Sequence, residues 1–287
     1  MKALVLKAYN QLVYQDVEDP RIASDEVLLQ VKACGICGSD VHGVDGSTGR
    51  RVPPIIMGHE ASGVIVKKGA DVNAWHQGDR VTFDSTIYPL DDWYTRKGQY
   101  NLSDNRMVLG VSCDEFRRHG AFAEYVSIPQ HVLSRIPENV SFDQAAAVEP
   151  AAVAMHAVRL TPLQLGDTAV VIGTGIIGLF IVQVLRASAC QRIIAVDIDK
   201  EKLALAATMG ADLCLQADAP GLADTILEAT RGRGADAILE AVGLTETVQL
   251  GLACVRKGGA VTLVGNVSPK VELPLQRIVS GQLRDLR

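Results

Sequence analysis

The second half of the chain consists of short apolar segments that alternate with helical patterns. From about residue 166 onward the apolar segments are TAVVIG, RIIAVDI, ADLCLQ, DAILEAV and AVTLVG. Strands of this composition are buried on both faces, and strands that alternate with helices pair in parallel. The pattern therefore predicts an α/β fold with a doubly wound parallel sheet, covered by helices on both faces.

The first half follows a different pattern. Its Val-rich segments are shorter and often alternate between apolar and polar residues, as in KALVLKA, EVLLQVKA, ASGVIVKKG, DRVTF and GAFAEYVSI. Such alternation is typical of half-buried antiparallel strands. We therefore expect two domains, a β-rich domain over residues 1–155 and the parallel-sheet domain over residues 156–287.

Composition excludes several classes of protein. The net charge of −5 gives no basic surface for nucleic acid. The N-terminal segment MKALVLKAYN is too short to span a membrane and lacks the cleavage site of a signal peptide. In such a chain the six cysteines are expected to be free thiols or metal ligands, which predicts a cytoplasmic protein.

A glycine-rich loop directly follows the first strand of the second domain. VVIGTGIIG supplies Gly173, Gly175 and Gly178, and Asp197 closes the next strand, where an acid can accept the ribose hydroxyls of an adenosine. An acid at this place repels a 2′-phosphate, so the sequence favours NAD over NADP. Lys202, one helical turn later, either pairs with the ribose or is a solvated lysine.

Metal-ligand residue types lie in the first domain. Cys37 in CGICGSDVH and His59 in GHEASG offer a thiolate and an imidazole, which zinc prefers. Glu60 and Glu149 offer carboxylates, and Glu149 has almost entirely apolar neighbours, where an unpaired charge is costly. A thiolate, an imidazole and a carboxylate leave one tetrahedral position open, as in a catalytic zinc site.

The motifs GICGSDVH, GHEASG, GDRVTF, GAFAEYV, EP, VIGTGIIG and VGN occur in one order along nearly the whole chain. In this order they resemble the zinc-containing medium-chain dehydrogenases and reductases, and most of all the polyol and threonine dehydrogenase branch. The resemblance implies a GroES-like catalytic domain followed by a Rossmann domain. It implies zinc-dependent, NAD-linked oxidation of a secondary alcohol of a polyol, a sugar alcohol, free or phosphorylated, or an amino alcohol.

The resemblance also implies roles for individual residues. Cys37 and His59 match zinc ligands, and either Glu60 or Glu149 completes the set, directly or through a bound water. Ser39 and His42 match a proton relay, and Asp40 matches an acid that orients the imidazole of His59. The residues matched to cofactor binding are Gly173, Gly175, Ile177, Gly178, Asp197, Lys202, Val242 and Val264.

A lobe over residues 86–112 departs from that family. Relatives carry four cysteines spaced C-x2-C-x2-C-x7-C around a structural zinc, and this chain has Pro89, Asp92, Thr95 and Ser103 at those places. These side chains cannot hold a structural zinc, so we expect one catalytic zinc only. Packing by Trp93, Tyr94 and Tyr100 is then expected to hold the lobe together.

The C-terminal end is a second departure. The sequence ends at QRIVSGQLRDLR, where family members continue with a sixth sheet strand. We therefore expect a shortened Rossmann domain, with the fifth strand as an exposed edge or covered by the final helix. Relatives are commonly homodimers or homotetramers that associate through the last strand, so the expected loss leaves the oligomeric state open.

Two other functions compete with the leading one. A non-catalytic or impaired NAD-binding protein is consistent with the expected shortening, and a zinc-free quinone reductase is a related enzyme class. Cys37, His59 and Glu149 argue against the reductase. The loop HGVDGSTGRR offers Arg50 and Arg51 either as contacts for a substrate phosphate or as solvated side chains.

Overall fold

A computed structural model describes residues 1–112, 117–188 and 190–286. The chain divides into two compact units, Met1–Glu149 and Pro150–Arg287. Within the described ranges no helix is long and apolar enough to cross a membrane. Of the six cysteines, Cys113 lies outside the described residues, and the other five are free thiols.

The first unit is rich in short strands. The strands are Lys2–Ala8 (β1), Gln11–Asp16 (β2), Glu26–Gly35 (β3), Ile55–Ile56 (β4), Glu60–Lys68 (β5), Arg80–Phe83 (β6), Thr86–Ile87 (β7), Met107–Leu109 (β8), Arg117–Arg118 (β9), Tyr125–Pro129 (β10) and Leu133–Arg135 (β11). The helices are Gly38–Val41 (α1), Phe142–Ala146 (α2) and Val148–Leu160 (α3), which continues into the second unit. Short 3-10 turns occupy Thr95–Lys97, Tyr100–Leu102 and Gln130–Val132.

The main sheet of this unit is antiparallel, in the strand order β10-β3-β5-β6-β11. Val27 and Leu29 on β3 and Ile65 on β5 turn into one hydrophobic core, as the alternating pattern predicted. The register pairs Gly35 at the end of β3 with Glu60 at the start of β5. This pairing brings the segment that contains Cys37 close to His59 and Glu60. The predicted strand GAFAEYVSI is shorter than expected, because only Tyr125–Pro129 belongs to the sheet.

The second unit alternates strands and helices. They are Thr168–Ile172 (β12), Ile176–Ala187 (α4), Arg192–Asp197 (β13), Lys200–Thr208 (α5), Leu213–Gln216 (β14), Leu222–Ala229 (α6), Ala235–Glu240 (β15), Thr245–Cys254 (α7), Val255–Leu263 (β16), Leu275–Gly281 (α8) and Arg284–Leu286 (β17). Their sheet is parallel throughout and has the order β14-β13-β12-β15-β16-β17. This is the doubly wound order of dinucleotide-binding folds, so the predicted fold class is confirmed.

The sixth strand corrects one expectation. The sequence predicted no sixth strand, with β16 either exposed as the sheet edge or covered by the final helix. Residues 284–286 instead pair in parallel with residues 260–262 of β16, so β16 is not the edge of the sheet. Ile278 on α8 and Leu283 pack against the core of this unit, which returns the chain to the sheet. The strand RDL has no apolar run, and its position depends on the packing of the helix before it.

Candidate metal and cofactor sites

The candidate metal site lies where β3 ends and β5 begins. One ligand atom each from Cys37, His59 and Glu60 lies within 4.8 Å of the other two. Within the residues that the structure describes, this is the one group of three or more His, Cys, Asp or Glu side chains gathered in this way. Cys37 is the N-cap residue of the short helix α1. His59 and Glu60, at the start of β5, are both buried.

Burial shifts the pKa of all three side chains in this cluster. Burial lowers the pKa of His59; the Asp40 charge opposes this shift, and the Arg51 charge adds to it. A neutral imidazole is the form that binds a metal. Burial raises the pKa of Cys37 and of Glu60, because each charged form loses contact with water.

Glu149 lies close to this cluster but outside the group of three. Its Oε1 accepts a hydrogen bond from the Ser85 hydroxyl at 3.5 Å. Burial, followed by the negative charges of Glu60 and Asp84, raises its pKa to about 7. Several buried carboxylates that destabilise one another through their charges are what a bound cation would relieve. The donor set and these charges therefore fit zinc.

The other residues assigned to this site have distinct surroundings. Asp40 is buried, and its Oδ2 accepts from the backbone N–H of Cys37 at 3.2 Å. Its Oδ1 lies 3.6 Å from Nδ1 of His59, too far for a good hydrogen bond. Ser39 is half-buried beside Cys37, whereas the side chain of His42 is exposed. The structure thus brings Ser39 to the cluster and leaves His42 at the surface.

The lobe over residues 86–112 gathers the four positions only in part. Asp92 Oδ1 accepts from the backbone N–H of Thr95 at 2.6 Å, and its Oδ2 accepts from the hydroxyl of Ser103, which is fully buried. Three of the four positions are thus joined by hydrogen bonds around one carboxylate. Pro89 takes no part in these bonds.

The aromatic side chains of the lobe pack partly as expected. Trp93 contacts Tyr94 edge-on at 4.8 Å between ring centroids but is 62% exposed. Tyr100 stacks on Tyr88 at 4.6 Å, a partner that the sequence did not suggest. The rings therefore pack in two separate pairs, and the pair that contains Trp93 lies largely at the surface.

The glycine-rich loop connects β12 to α4. Gly173 has a φ of +90°, and a Cβ there would lie 2.5 Å from Val242. Gly175 is the N-cap of α4, and a Cβ built on it meets no described atom within 4 Å. A Cβ on Gly178 would overlap the carbonyl oxygen of Gly173. The first and third glycines are required by the fold, while the second leaves open space at a helix N-terminus, where anions bind.

Asp197 is held by the same loop. It is the last residue of β13, and its Oδ2 accepts from the N–H and the hydroxyl of Thr174 at 2.6 and 3.0 Å. Its Oδ1 accepts from the N–H of Asp199 at 2.9 Å. Burial raises the pKa of Asp197, but these hydrogen bonds outweigh it and lower the pKa, so the carboxylate is charged at neutral pH. Lys202 is exposed and lies 3.9 Å from Asp199, so its ion pair is with that residue.

The remaining residues assigned to the cofactor line the carboxyl ends of the strands. Ile177 is half-buried in the first turn of α4, and Val264 directly follows β16. Val242 packs beside Gly173, and the loop that contains it is fixed by Glu240.

Glu240 was missed by the sequence reasoning. Its carboxylate is fully buried and accepts from the N–H groups of Val242 and Gly243 at 2.8 to 3.0 Å. The sequence could have indicated it, because Glu240 lies in the apolar run DAILEAV. Like Glu149, it is a charged residue among apolar neighbours. Its role is to shape the loop that faces Gly173.

Two family models match the chain. Residues 23–138 match the alcohol dehydrogenase GroES-like domain, and residues 177–285 match the zinc-binding dehydrogenase domain. Zinc and NAD(H) are the cofactors typical of proteins with these domains.

Several proteins are similar over almost the whole chain. The chain is 33% identical over 279 residues to D-arabitol-phosphate dehydrogenase of Enterococcus avium, which covers 96% of this chain and 78% of that protein. It is 34% identical over 278 residues to sorbitol dehydrogenase of Bacillus subtilis, and this match covers 96% of this chain and 77% of that protein. A solved zinc-binding dehydrogenase of Sinorhizobium meliloti, bound to NADP, superposes with a TM-score of 0.89 at 30% identity, covering 99% of this chain and 83% of that one.

The first family model spans Cys37, His59 and Glu60, and the similarity to the two relatives extends over nearly the whole chain. The chain belongs to the zinc-containing medium-chain dehydrogenase/reductase family.

Proposed function

We propose that this chain oxidises a secondary alcohol of a polyol or sugar alcohol to a ketone, with zinc and NAD as cofactors. The observation that carries the proposal is the cluster of Cys37, His59 and Glu60 within 4.8 Å. Relatives named for arabitol phosphate and for sorbitol support a polyol substrate. Arg51 is buried, and its charge is paired within the protein, so the loop offers only Arg50 as a candidate contact for a substrate phosphate.

Each residue of the cluster has a proposed role. Cys37 and His59 hold the zinc together with Glu60, which lies in the cluster, while Glu149 acts from beside it through a bound water. Zinc in such a site supplies Lewis-acid polarisation of the substrate hydroxyl. The hydroxyl of Ser39, half-buried beside Cys37, accepts the proton that the substrate loses, and the exposed His42 passes it to solvent.

The cofactor is proposed to be NAD. The charged carboxylate of Asp197 lies at the end of β13, where it accepts ribose hydroxyls and repels a 2′-phosphate. A similar structure binds NADP, so the fold alone does not exclude that cofactor, and we propose that the preference of this chain for NAD depends on Asp197. A cytoplasmic location is proposed from the five described free thiols, which suit a reducing compartment.

Metal analysis and a substrate panel test the proposal together. We expect one zinc per chain and NADH formation on at least one of a panel of free and phosphorylated polyols and amino alcohols. Cys37→Ser is expected to lose zinc and activity while NADH binding persists. Folded wild-type protein with no zinc that reduces quinones would instead indicate the reductase class. NAD binding with no turnover on any alcohol would indicate a non-catalytic member of the family.

A further inference from the structure

Arg51 lies in the interior of the first unit. Its side chain is 2% exposed, although the sequence suggested a phosphate contact or a solvated loop. The side chain passes directly over Gly43, where a Cβ would overlap Cγ of Arg51. The exposed neighbour, Arg50, shows that the chain could equally have left an arginine at the surface here.

The guanidinium contacts two residues of the short helix that follows Cys37. Nη2 of Arg51 donates to Oδ1 of Asp40 at 3.0 Å and to the hydroxyl oxygen of Ser39 at 3.2 Å. Asp40 in turn accepts from the backbone N–H of Cys37 and lies 3.6 Å from the imidazole of His59. One guanidinium group is thus linked by hydrogen bonds, through Asp40, to Cys37, and it holds the Asp40 carboxylate next to His59.

Stability alone is a poor explanation for this pair. Arg51 and Asp40 are each 2% exposed at their side chains, and Nε of Arg51 is buried without a hydrogen-bond partner among the described atoms. Replacing a buried ion pair by apolar residues is often neutral or stabilising, because desolvation offsets the attraction. The geometry is better explained by what the pair holds in place.

The bond to Ser39 fixes the direction of its hydroxyl. A guanidinium only donates hydrogen bonds, so the Ser39 oxygen must be the acceptor in this contact. The Ser39 hydroxyl uses one lone pair to accept this bond. Its O–H and its second lone pair remain available for another partner. The orientation of Ser39 is therefore set by Arg51.

We propose that Arg51 is a positioning residue of the catalytic site: it holds Asp40 in its hydrogen bond to Cys37, next to His59, and it orients the hydroxyl of Ser39. This role rests on the proposed function, since it presumes that Cys37 and His59 bind zinc. Arg51 is not itself a ligand and does not contact the substrate. Loss of such supporting residues commonly weakens metal binding by about 10–100-fold.

The test compares Arg51→Met, Arg51→Lys and, as a control, Arg21→Met at an exposed arginine of the same unit, all in the full chain. Zinc affinity is measured by competition with a chelator, NADH affinity by fluorescence, and kcat and KM on the alcohol that the wild-type protein oxidises best. We expect Arg51→Met to bind zinc about 10–100-fold more weakly and to have a lower kcat. Arg51→Lys keeps the charge but loses the planar guanidinium group and should be intermediate, while Arg21→Met should match the wild type. NADH affinity should be unchanged in all three.

A purely structural role would lower the melting temperature of Arg51→Met while leaving zinc affinity and kcat of the folded protein unchanged, and that result would overturn the proposal. If Arg51→Met does not fold, Arg51→Lys is the deciding variant. Wild-type zinc affinity and kcat in Arg51→Lys would count against the positioning role of the guanidinium group, and a loss of both would support it. Wild-type protein that binds no zinc at all would overturn the proposed function and, with it, the role of Arg51.

Discussion

Asp197 has its carboxylate oriented by the loop that is proposed to carry the cofactor. Thr174, fully buried within the glycine-rich loop, donates two hydrogen bonds to Oδ2. A carboxylate has about four acceptor sites, so free lone pairs remain for ribose hydroxyls. A residue two positions later, Asp199, has a different role, since it caps α5 by accepting from two backbone N–H groups.

This difference gives a matched pair of variants. Asp197→Ala should weaken NAD binding by about 10–100-fold, because a hydrogen bond to a charged group is worth about 1.5–3 kcal/mol, and should weaken NADP binding less. Asp199→Ala should cost about 1 kcal/mol of stability through the lost cap and leave the NAD/NADP preference unchanged. Dissociation constants for both cofactors check this; an unaltered preference in Asp197→Ala would refute the assignment of Asp197.

At the scale of elements, the junction of β12 and α4 contains three glycines. The fold requires Gly173 and Gly178 but does not require Gly175. A Cβ on Gly178 overlaps the backbone of Gly173, whereas a Cβ on Gly175 meets open space. Gly178→Ala should therefore lower the free energy of unfolding by roughly 1–3 kcal/mol or more, as overpacking does. Gly175→Ala should fold with nearly wild-type stability and bind NADH more weakly, since the methyl group occupies the space proposed for the pyrophosphate. Urea denaturation and NADH titration measure the two effects, and a strongly destabilised Gly175→Ala variant would contradict this division.

The lobe over residues 86–112, where the sequence predicted no structural zinc, is held in part by a carboxylate. Asp92 joins Thr95 and Ser103 through both of its oxygens. The hydrogen bond from Ser103 and that from the Thr95 backbone lower the pKa of Asp92, so the carboxylate is charged at neutral pH. We infer that these bonds stabilise the lobe in place of a metal.

Ser103→Ala should therefore loosen the lobe without affecting the catalytic metal. Amide hydrogen exchange over residues 86–112 should become faster, while the zinc content stays at one per chain and zinc affinity is unchanged. Asp91→Ala, at the exposed neighbouring acid, is the control and should exchange like the wild type. Two zincs per chain in the wild-type protein would show that the hydrogen bonds are not a replacement for the metal.

For the molecule as a whole, the charge of the buried carboxylates predicts how stability depends on pH. The pKa of Glu149 is raised from 4.5 to about 7, mainly by burial. Between these values the unfolded chain releases the proton that the folded chain keeps, so this group lowers the free energy of unfolding as pH rises through the window. Above about pH 7 the effect is complete and constant.

Metal-free Glu149→Gln should lack this contribution. In the presence of a chelator its unfolding free energy should fall less than that of the wild type between about pH 5 and 7, as the linkage of protonation to folding requires. Urea denaturation across this range measures the difference, and saturating zinc should reduce it, because the cation compensates the charge. Parallel curves for the two metal-free proteins would argue against a raised pKa at Glu149.

Several features could be predicted from the sequence because they depend on local pattern and chemistry. The continuous apolar runs require burial on both faces, which predicted the parallel sheet from β12 to β16. The three glycines and Asp197 lie at fixed spacing around one strand–helix junction, and thiol, imidazole and carboxylate groups are zinc ligands wherever they meet. None of these inferences needs to know which distant segments touch.

The tertiary structure decided what depends on distant segments. Whether Glu60 or Glu149 lies beside Cys37 and His59 depends on the pairing of β3 with β5, and the sequence left both open. The burial of Arg51 depends on a partner, Asp40, on another segment, and its neighbour Arg50 has the same chemistry but lies in water. The position of strand β17 depends on α8, which packs against the core and returns the Arg-Asp-Leu segment to the edge of the sheet. Desolvation and non-local pairing arise only in the folded chain. A sequence pattern predicts them only where the pattern repeats along the chain, as in the apolar strands of the second unit.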